Sequence, residues 1–205
     1  MVILTNKKFK RRIIFKSNMK NRLIELIIEK AFTYSEEPVF KLVSGRMSNY
    51  YFNCKAVTLY PEGMYLIGNL IFDLINDLNI KGIGGLTLGA DPIAYAVAYT
   101  SYLKGKPVEA FVVRKTPKSH GIRPGGQWIE GNIKKGDKVI IVDDVITTGK
   151  STIEAITRSK EAGLKIVKVI ALIDRQEGGR EAVEASGYKL DSIITRDEVM
   201  ERYKC

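Results

Sequence analysis

Apolar positions along this chain follow two periods, and the change from one to the other lays out its elements. Over residues 20–33, Leu23, Leu26, Ile27 and Ala31 recur at the three- and four-residue spacing of an amphipathic helix. Over 62–79, Met64, Ile67, Ile71, Leu74 and Leu78 do the same and predict a second core helix. Between them, Phe40 to Asn53 alternates apolar and polar residues around Ser44-Gly45-Arg46, which predicts a hairpin. From residue 82 onward short apolar runs take turns with helical patterns. Gly82 to Leu88, Val108 to Val113, Val139 to Val142 and Ile166 to Ile173 read as strands. Helices are predicted to start near Pro92 and to span Gly149 to Ala162, and Leu190 to Cys205 closes the chain with a strand and a short helix. Val139 to Val142 is wholly apolar, the mark of a strand buried on both faces, and the alternation predicts an α/β fold with a parallel sheet and right-handed crossovers.

Candidate chemistry concentrates where the Val139 strand ends. Asp143 and Asp144 fall there, and ligands of open α/β sheets gather outside the carboxyl ends of the strands. Val145 and Ile146 lead into Thr147-Thr148-Gly149-Lys150-Ser151, a hydroxyl-rich turn ahead of the helical pattern Ile153, Ile156 and Thr157. Backbone N–H groups, the start of a helix dipole and three hydroxyls converge on that turn, and Gly149 lets the backbone come close, as in a phosphate cradle. A nucleoside-triphosphate P-loop is excluded, because it needs a glycine where this chain has Asp144. The plainer alternative is a strand–turn–helix whose threonines cap the helix. The paired acids weigh against it: adjacent carboxylates repel and gain nothing at a sheet end unless hydroxyls or a metal ion engage them. A phosphate cradle beside a diol-binding acid pair describes a ribose 5-phosphate site.

Val142-Asp-Asp-Val-Ile-Thr-Thr-Gly149 closely resembles the phosphoribosyl-pyrophosphate (PRPP) signature of the type I phosphoribosyltransferases. The resemblance implies their Rossmann-like parallel sheet flanked by helices, with a small N-terminal hood. It places Asp143 and Asp144 on the ribose 2- and 3-hydroxyls. Val145, Ile146, Thr147, Thr148, Gly149, Lys150 and Ser151 complete the PRPP-binding run, and the turn from Thr147 wraps the 5-phosphate. Ser44-Gly45-Arg46, then Ser48 and Tyr50-Tyr51-Phe52-Asn53, resembles the hood of the orotate phosphoribosyltransferases and implies that Tyr51 and Phe52 line the base pocket. Simple hairpin packing is the other fate open to those aromatics.

More than twenty residues without a core pattern separate the Val108 and Val139 strands, the length of a lid. They carry Arg114, Lys115, Lys118, His120 and Arg123, hinged by Gly121, Gly125 and Gly126. A solvated charge run is the bland alternative. Arg114-Lys115-x-x-Lys118-x-His120-Gly resembles the mobile catalytic loop of the orotate enzymes. That implies Arg114, Lys115, Lys118 and His120 on PRPP, a catalytic set of Lys115, Lys118, His120 and Asp144, and a homodimer whose lid reaches the neighbouring subunit. Asp174-Arg175-Gln-Glu-x-Gly resembles the orotate-contacting segment, with Arg175 forking the orotate carboxylate and Thr147 helping to fix the base. Leu86-Thr-Leu-Gly-Ala-Asp-Pro92 stands where the family contacts pyrophosphate. Some members have a lysine there; this chain has Gly89, Ala90 and Asp91, so backbone amides would do that work. Val43 similarly replaces a lysine of some relatives. The implied reaction transfers ribose 5-phosphate from PRPP to orotate, giving orotidine 5-phosphate and pyrophosphate in UMP biosynthesis. Mg²⁺ is implied, held through PRPP and water with no direct protein ligand.

Charge changes this picture little once it is located. The net +10 arises largely before Glu25, from Lys7, Lys8, Lys10, Arg11, Arg12, Lys16, Lys20 and Arg22, so the rest has no global field for a polyanion and no nucleic acid is expected. Met19 offers an alternative start behind that tail. The predicted organisation is a basic tail over 1–19, a helix and hood over 20–60, and a core over 61–205 with a lid over 115–131. No leader and no membrane span are apparent, and two cysteines, Cys54 and Cys205, make no disulfide framework, which points to a reducing cytoplasm. Two other readings stay open: transfer to a purine or to uracil, and a PRPP-binding regulator that touches nucleic acid through the tail.

Overall fold

The computed structural model describes residues 17–41, 45–118 and 127–204, without the side chains of Lys118 and Gln127. Residues 1–16, Val43, Ser44, His120, Gly121, Arg123, Gly125, Gly126 and Cys205 lie outside the described residues. Helix α1, over 17–30, buries Leu23, Leu26 and Ile27 of the expected stripe, and Ala31 is buried just past its end. It stops short of residue 33 because Phe32–Tyr34 (β1) is already a strand. The expected hairpin forms from Phe40–Lys41 (β2) and Met47–Ser48 (β3), and Tyr50–Phe52 (β4) then pairs antiparallel with β1. Together these make the hood. A single-turn helix Lys55–Thr58 (α2) and the core helix Pro61–Ile75 (α3) lead out of it.

The main sheet is built from Gly82–Leu86 (β5), Glu109–Lys118 (β6), Gln127–Glu130 (β7), Lys138–Ile146 (β8), Lys165–Asp174 (β9) and Leu190–Thr195 (β10). Helices Asp91–Leu103 (α4), Lys150–Glu161 (α5), Gly179–Ala185 (α6) and Arg196–Lys204 (α7) connect or follow the strands. Strand order is β10-β9-β8-β5-β6-β7, parallel throughout except for β7 at the edge. Val139 to Val142 are all but inaccessible in the middle of it. Burying each of these side chains contributes about 1.5–3 kcal/mol, which explains why this strand reads as an unbroken apolar run.

Part of the stretch expected as a lid over 115–131 is regular structure. β6 runs on to Lys118 and β7 takes up Gln127–Glu130, so Arg114 and Lys115 stand on a strand. An antiparallel edge hairpin with solvated faces needs no apolar pattern and left none to read. The two short helices α2 and α6 were also unexpected, being too brief to show a helical period.

The chain winds one way from β5 to β6 and then crosses back over β5 to β8, so the direction of winding reverses between β5 and β8. Ligands of doubly wound sheets bind outside the strand ends at such a point. The two strands pair through Val139–Ile141, opposite Gly82–Gly84. The crevice expected at such a point has Asp143 and Asp144 on one side and the turn after β5 on the other.

Candidate active site

Asp143 and Asp144 do not face one ligand together, because neighbours on a strand point to opposite sides. Asp143 is only 4% exposed and turns toward α5. Its Oδ2 accepts hydrogen bonds from Ser151 Oγ at 2.8 Å and Thr152 Oγ1 at 2.7 Å, and its Oδ1 accepts one from the Asp144 N–H at 3.0 Å. The Ser151 hydroxyl, expected in the cradle, is thus spent on Asp143. Thr152, which the sequence did not single out, completes this brace. Asp144 is the carboxylate turned to the crevice. Its Oδ1 accepts from the Val145 N–H at 2.9 Å, and Lys55 Nζ stands 3.7 Å from its Oδ2. Gly89 lies close to this carboxylate: a Cβ there would lie 2.6 Å from Asp144 Oδ1, so a side chain at this position would have to displace it.

Burial, and then the neighbouring Asp144, push the Asp143 carboxyl up to about 6 from its ordinary 3.8. The folded state therefore holds more protons than the unfolded one between these values, and this group's contribution to stability falls as pH rises through that window. Above it the penalty is complete. Asp143→Asn removes it, so the variant is expected to gain stability relative to the parent on going from pH 4.5 to pH 7.5, by on the order of 2 kcal/mol. Paired thermal melts at the two pH values measure this, and an unchanged difference would show that Asp143 is not strained by its burial.

The turn after β8 departs from the capping alternative. Gly149, at φ 78° and ψ 1°, is itself the residue ahead of α5, no side chain caps the helix and no acid sits in its first turn. The first N–H groups of α5 therefore have no side-chain cap, and a helix end of this kind favours an anion. Gly149 also needs its hydrogen, since a Cβ would lie 3.0 Å from the Gly179 carbonyl oxygen.

The base side is arranged differently from the expectation. Tyr51 is exposed and lies beside Phe40, with centroids 6.1 Å apart. Phe52, expected to line the pocket, is buried in the core 5.1 Å from Phe32, because strand alternation turns it away from Tyr51. The aromatic that meets Arg175 is Tyr50, whose ring centroid lies 4.8 Å from the guanidinium carbon. Arg175 is 5% exposed and pairs with Glu177 at 2.9 Å. Asp174, the partner that a simple surface bridge would use, instead binds Arg180 at 2.9 Å. Glu177 also accepts from Tyr50 Oη at 2.6 Å and Arg46 Nη2 at 2.7 Å, so one carboxylate ties the hood to the sheet.

Arg114 and Lys115 line a cavity of about 420 Å³ with Thr87 and Asp91 of the turn after β5, Tyr95 and Glu130. Arg114 pairs with Glu130 at 3.2 Å. No described contact brings either cation to Asp143, Asp144 or Arg175 within one chain. His120 and the Lys118 side chain lie outside the described residues.

An acid wall, an uncapped glycine turn and a crevice at the sheet's switch point define a protein of the phosphoribosyltransferase class. Residues 65–204 match the phosphoribosyl transferase domain. The chain is 44% identical over 181 residues to an orotate phosphoribosyltransferase of Aquifex aeolicus, covering 88% of this chain and 97% of that one. It superposes with a TM-score of 0.76 at 35% identity on the orotate phosphoribosyltransferase of Mycobacterium tuberculosis H37Rv in complex with Fe(III) dicitrate, over 88% and 98% of the two chains. The same Mycobacterium protein in complex with PRPP matches with a TM-score of 0.71 at 30% identity, over 89% of this chain and 92% of that one. The chain belongs to the orotate phosphoribosyltransferase family and has the type I phosphoribosyltransferase fold. No helix among the described residues is long and apolar enough to cross a membrane.

Proposed function

We propose that this protein transfers ribose 5-phosphate from PRPP to orotate, forming orotidine 5-phosphate for pyrimidine synthesis. The observation that carries this reading is the open carboxylate of Asp144 beside the uncapped turn at Gly149, with the buried Arg175 beneath the hood. The 5-phosphate sits in the turn from Thr147 to Ser151, held by N–H groups and the Thr147 and Thr148 hydroxyls, with Lys150 exposed beside it. Asp144 faces the ribose, with Asp143 bracing it from behind. N1 of orotate bonds to C1 as the bond from C1 to the diphosphate oxygen breaks; the bonding pair leaves with the diphosphate, and the N1 proton is lost to solvent. Positive charge builds at C1 in such a step, as in glycoside cleavage, and Asp144 lies on that side. Thr147, the exposed Tyr51 and Arg175 hold the base. Arg175 is a fork suited to a planar carboxylate, and its Nη1 is used in none of the described hydrogen bonds.

Mg²⁺ suits this donor set in one way only. Among the described residues no group of three or more His, Cys, Asp or Glu gathers, so the cation would be carried on substrate oxygens and water, with Asp144 the nearest carboxylate. When bound it neutralises charge on the departing diphosphate. Lys115, Lys118 and His120 meet that diphosphate from a neighbouring subunit. The exposed stripe Tyr95, Tyr99, Tyr102 and Leu103 on α4 supplies the apolar face of a homodimer, with Tyr99 68% and Tyr102 73% accessible in the single chain. Cys54 is a free buried thiol, in keeping with the cytoplasm.

The test is to mix the protein with orotate, PRPP and Mg²⁺ and to follow orotate absorbance together with pyrophosphate release, with the mass in solution measured on the same sample. Matched loss and release by a dimer, both abolished in Lys118→Ala, are the expected result. PRPP binding with orotate untouched would overturn the base assignment, and purines and uracil would then be offered. A monomer that turns over at the full rate would overturn the shared lid.

A further inference from the structure

The turn after β5 has no cation of its own, and the cations that share a cavity with its Thr87 and Asp91, Arg114 and Lys115, have no described contact with Asp144. Thr87 and Asp91 are hydrogen-bonded to each other at 2.6 Å, and the residue nearest Asp144 is Gly89, where even a methyl group would meet the carboxylate. A substrate that brings a diphosphate to this wall needs positive charge from elsewhere.

One described side chain supplies it. Lys55 Nζ is the only described cation in ion-pair range of Asp143 or Asp144, 3.7 Å from Asp144 Oδ2. That separation is too long for a hydrogen bond, and among the described residues no hydrogen bond uses Lys55 Nζ, whose three donors suit an anion. The backbone beneath it is pinned on both sides. Cys54 is 2% exposed, Val57 is fully buried, and α3 presses against α2 so closely that a Cβ on Gly63 would overlap the Val57 carbonyl oxygen at 2.0 Å. Lys55 turns outward at the head of α2, 47% exposed, and its ammonium stands beside Asp144. A flexible ammonium on a fixed base, aimed at a crevice whose other wall is a glycine, is the arrangement of a ligand cation.

We propose that Lys55 is a catalytic residue that binds the diphosphate of PRPP and stays with it as it leaves. The inference rests on the PRPP reading of this crevice. As the bond from C1 to oxygen breaks, its electron pair collects on the diphosphate, and the Lys55 ammonium donates hydrogen bonds to that oxygen cluster.

Calorimetry with inorganic pyrophosphate and, separately, ribose 5-phosphate, on the parent, Lys55→Gln and Lys55→Arg, tests this on the whole chain. Lys55→Gln is expected to weaken pyrophosphate binding on the order of 10- to 100-fold, the range of one hydrogen bond to a charged group, and to leave ribose 5-phosphate near its parent affinity. Lys55→Arg should restore most of the pyrophosphate affinity. In steady state, kcat should fall together with kcat/KM for PRPP in Lys55→Gln. The opposite pattern, with ribose 5-phosphate weakened and pyrophosphate unaffected, would overturn the proposal and make Lys55 a positioning residue for Asp144. Parent protein that binds both probes but leaves orotate unchanged would fail the base assignment alone, with the Lys55 result still decided by the pyrophosphate arm.

Discussion

Asp144→Asn is expected to fold normally and to lose on the order of 10²- to 10³-fold in kcat/KM for PRPP. The amide has the shape of the carboxylate, and its oxygen can keep the hydrogen bond now accepted from the Val145 N–H at 2.9 Å. What it removes is one negative charge from the crevice wall, where the sugar's developing positive charge would lie. The group is 15% exposed, so water screens that charge far less than it would on the surface. Initial rates over a range of PRPP, with a thermal melt to confirm folding, measure the effect. Asp143→Asn makes the contrast: it alters the brace behind Asp144 and should change stability with pH before it changes turnover. A loss below about threefold in Asp144→Asn would sink the assignment of Asp144 to the reacting sugar.

What the sequence revealed and what it hid divide along a physical line. Val139 to Val142 were legible because burial on two faces demands apolar residues in consecutive positions, and the turn at Gly149 because a left-handed residue ahead of a helix calls for glycine. The acid pair was legible as a pair and misleading as one. Strand alternation, which is a property of the backbone, sends Asp143 to α5 and Asp144 to the crevice. The same alternation takes Phe52 out of the base pocket and brings Tyr50 under Arg175. Treating β4 as a strand with two faces would have caught both. Lys55 and Thr152 could not be found that way. Each is a single polar residue in a short stretch, and its meaning comes from a partner 89 or 9 positions away, a juxtaposition made only by the fold. The β6 extension to Lys118 left no apolar trace because an edge hairpin need bury neither face.

Glu177 shows how far such hidden partners can matter, and Glu177→Ala is expected to destabilise the protein by about 3–5 kcal/mol. Its carboxylate accepts from Arg175 Nε at 3.1 Å, from Tyr50 Oη at 2.6 Å and from Arg46 Nη2 at 2.7 Å. Arg175 is buried and has no other carboxylate among its described partners; Ser48 Oγ, at 3.5 Å, is a weak substitute, and the Tyr50 ring offers only its face. Removing Glu177 therefore strands a guanidinium in a site with little water, and that uncompensated charge is the main source of the loss. For a chain of this size the melting point should drop by on the order of 10 °C. Arg46→Ala, at the exposed end of the same cluster, should cost no more than about 1 kcal/mol, because solvent screens that pair. The kinetic signature follows from the same contacts. With Arg175 no longer held and the hood untied, KM for orotate should rise much more than KM for PRPP, whose crevice lies at β5 and β8. Melting curves and the two KM values for Glu177→Ala and Glu177→Gln test both halves. A Glu177→Ala protein that melts with the parent would mean that Arg175 finds another counter-charge on folding, and equal rises in the two KM values would mean that the hood and the PRPP crevice are one cooperative site.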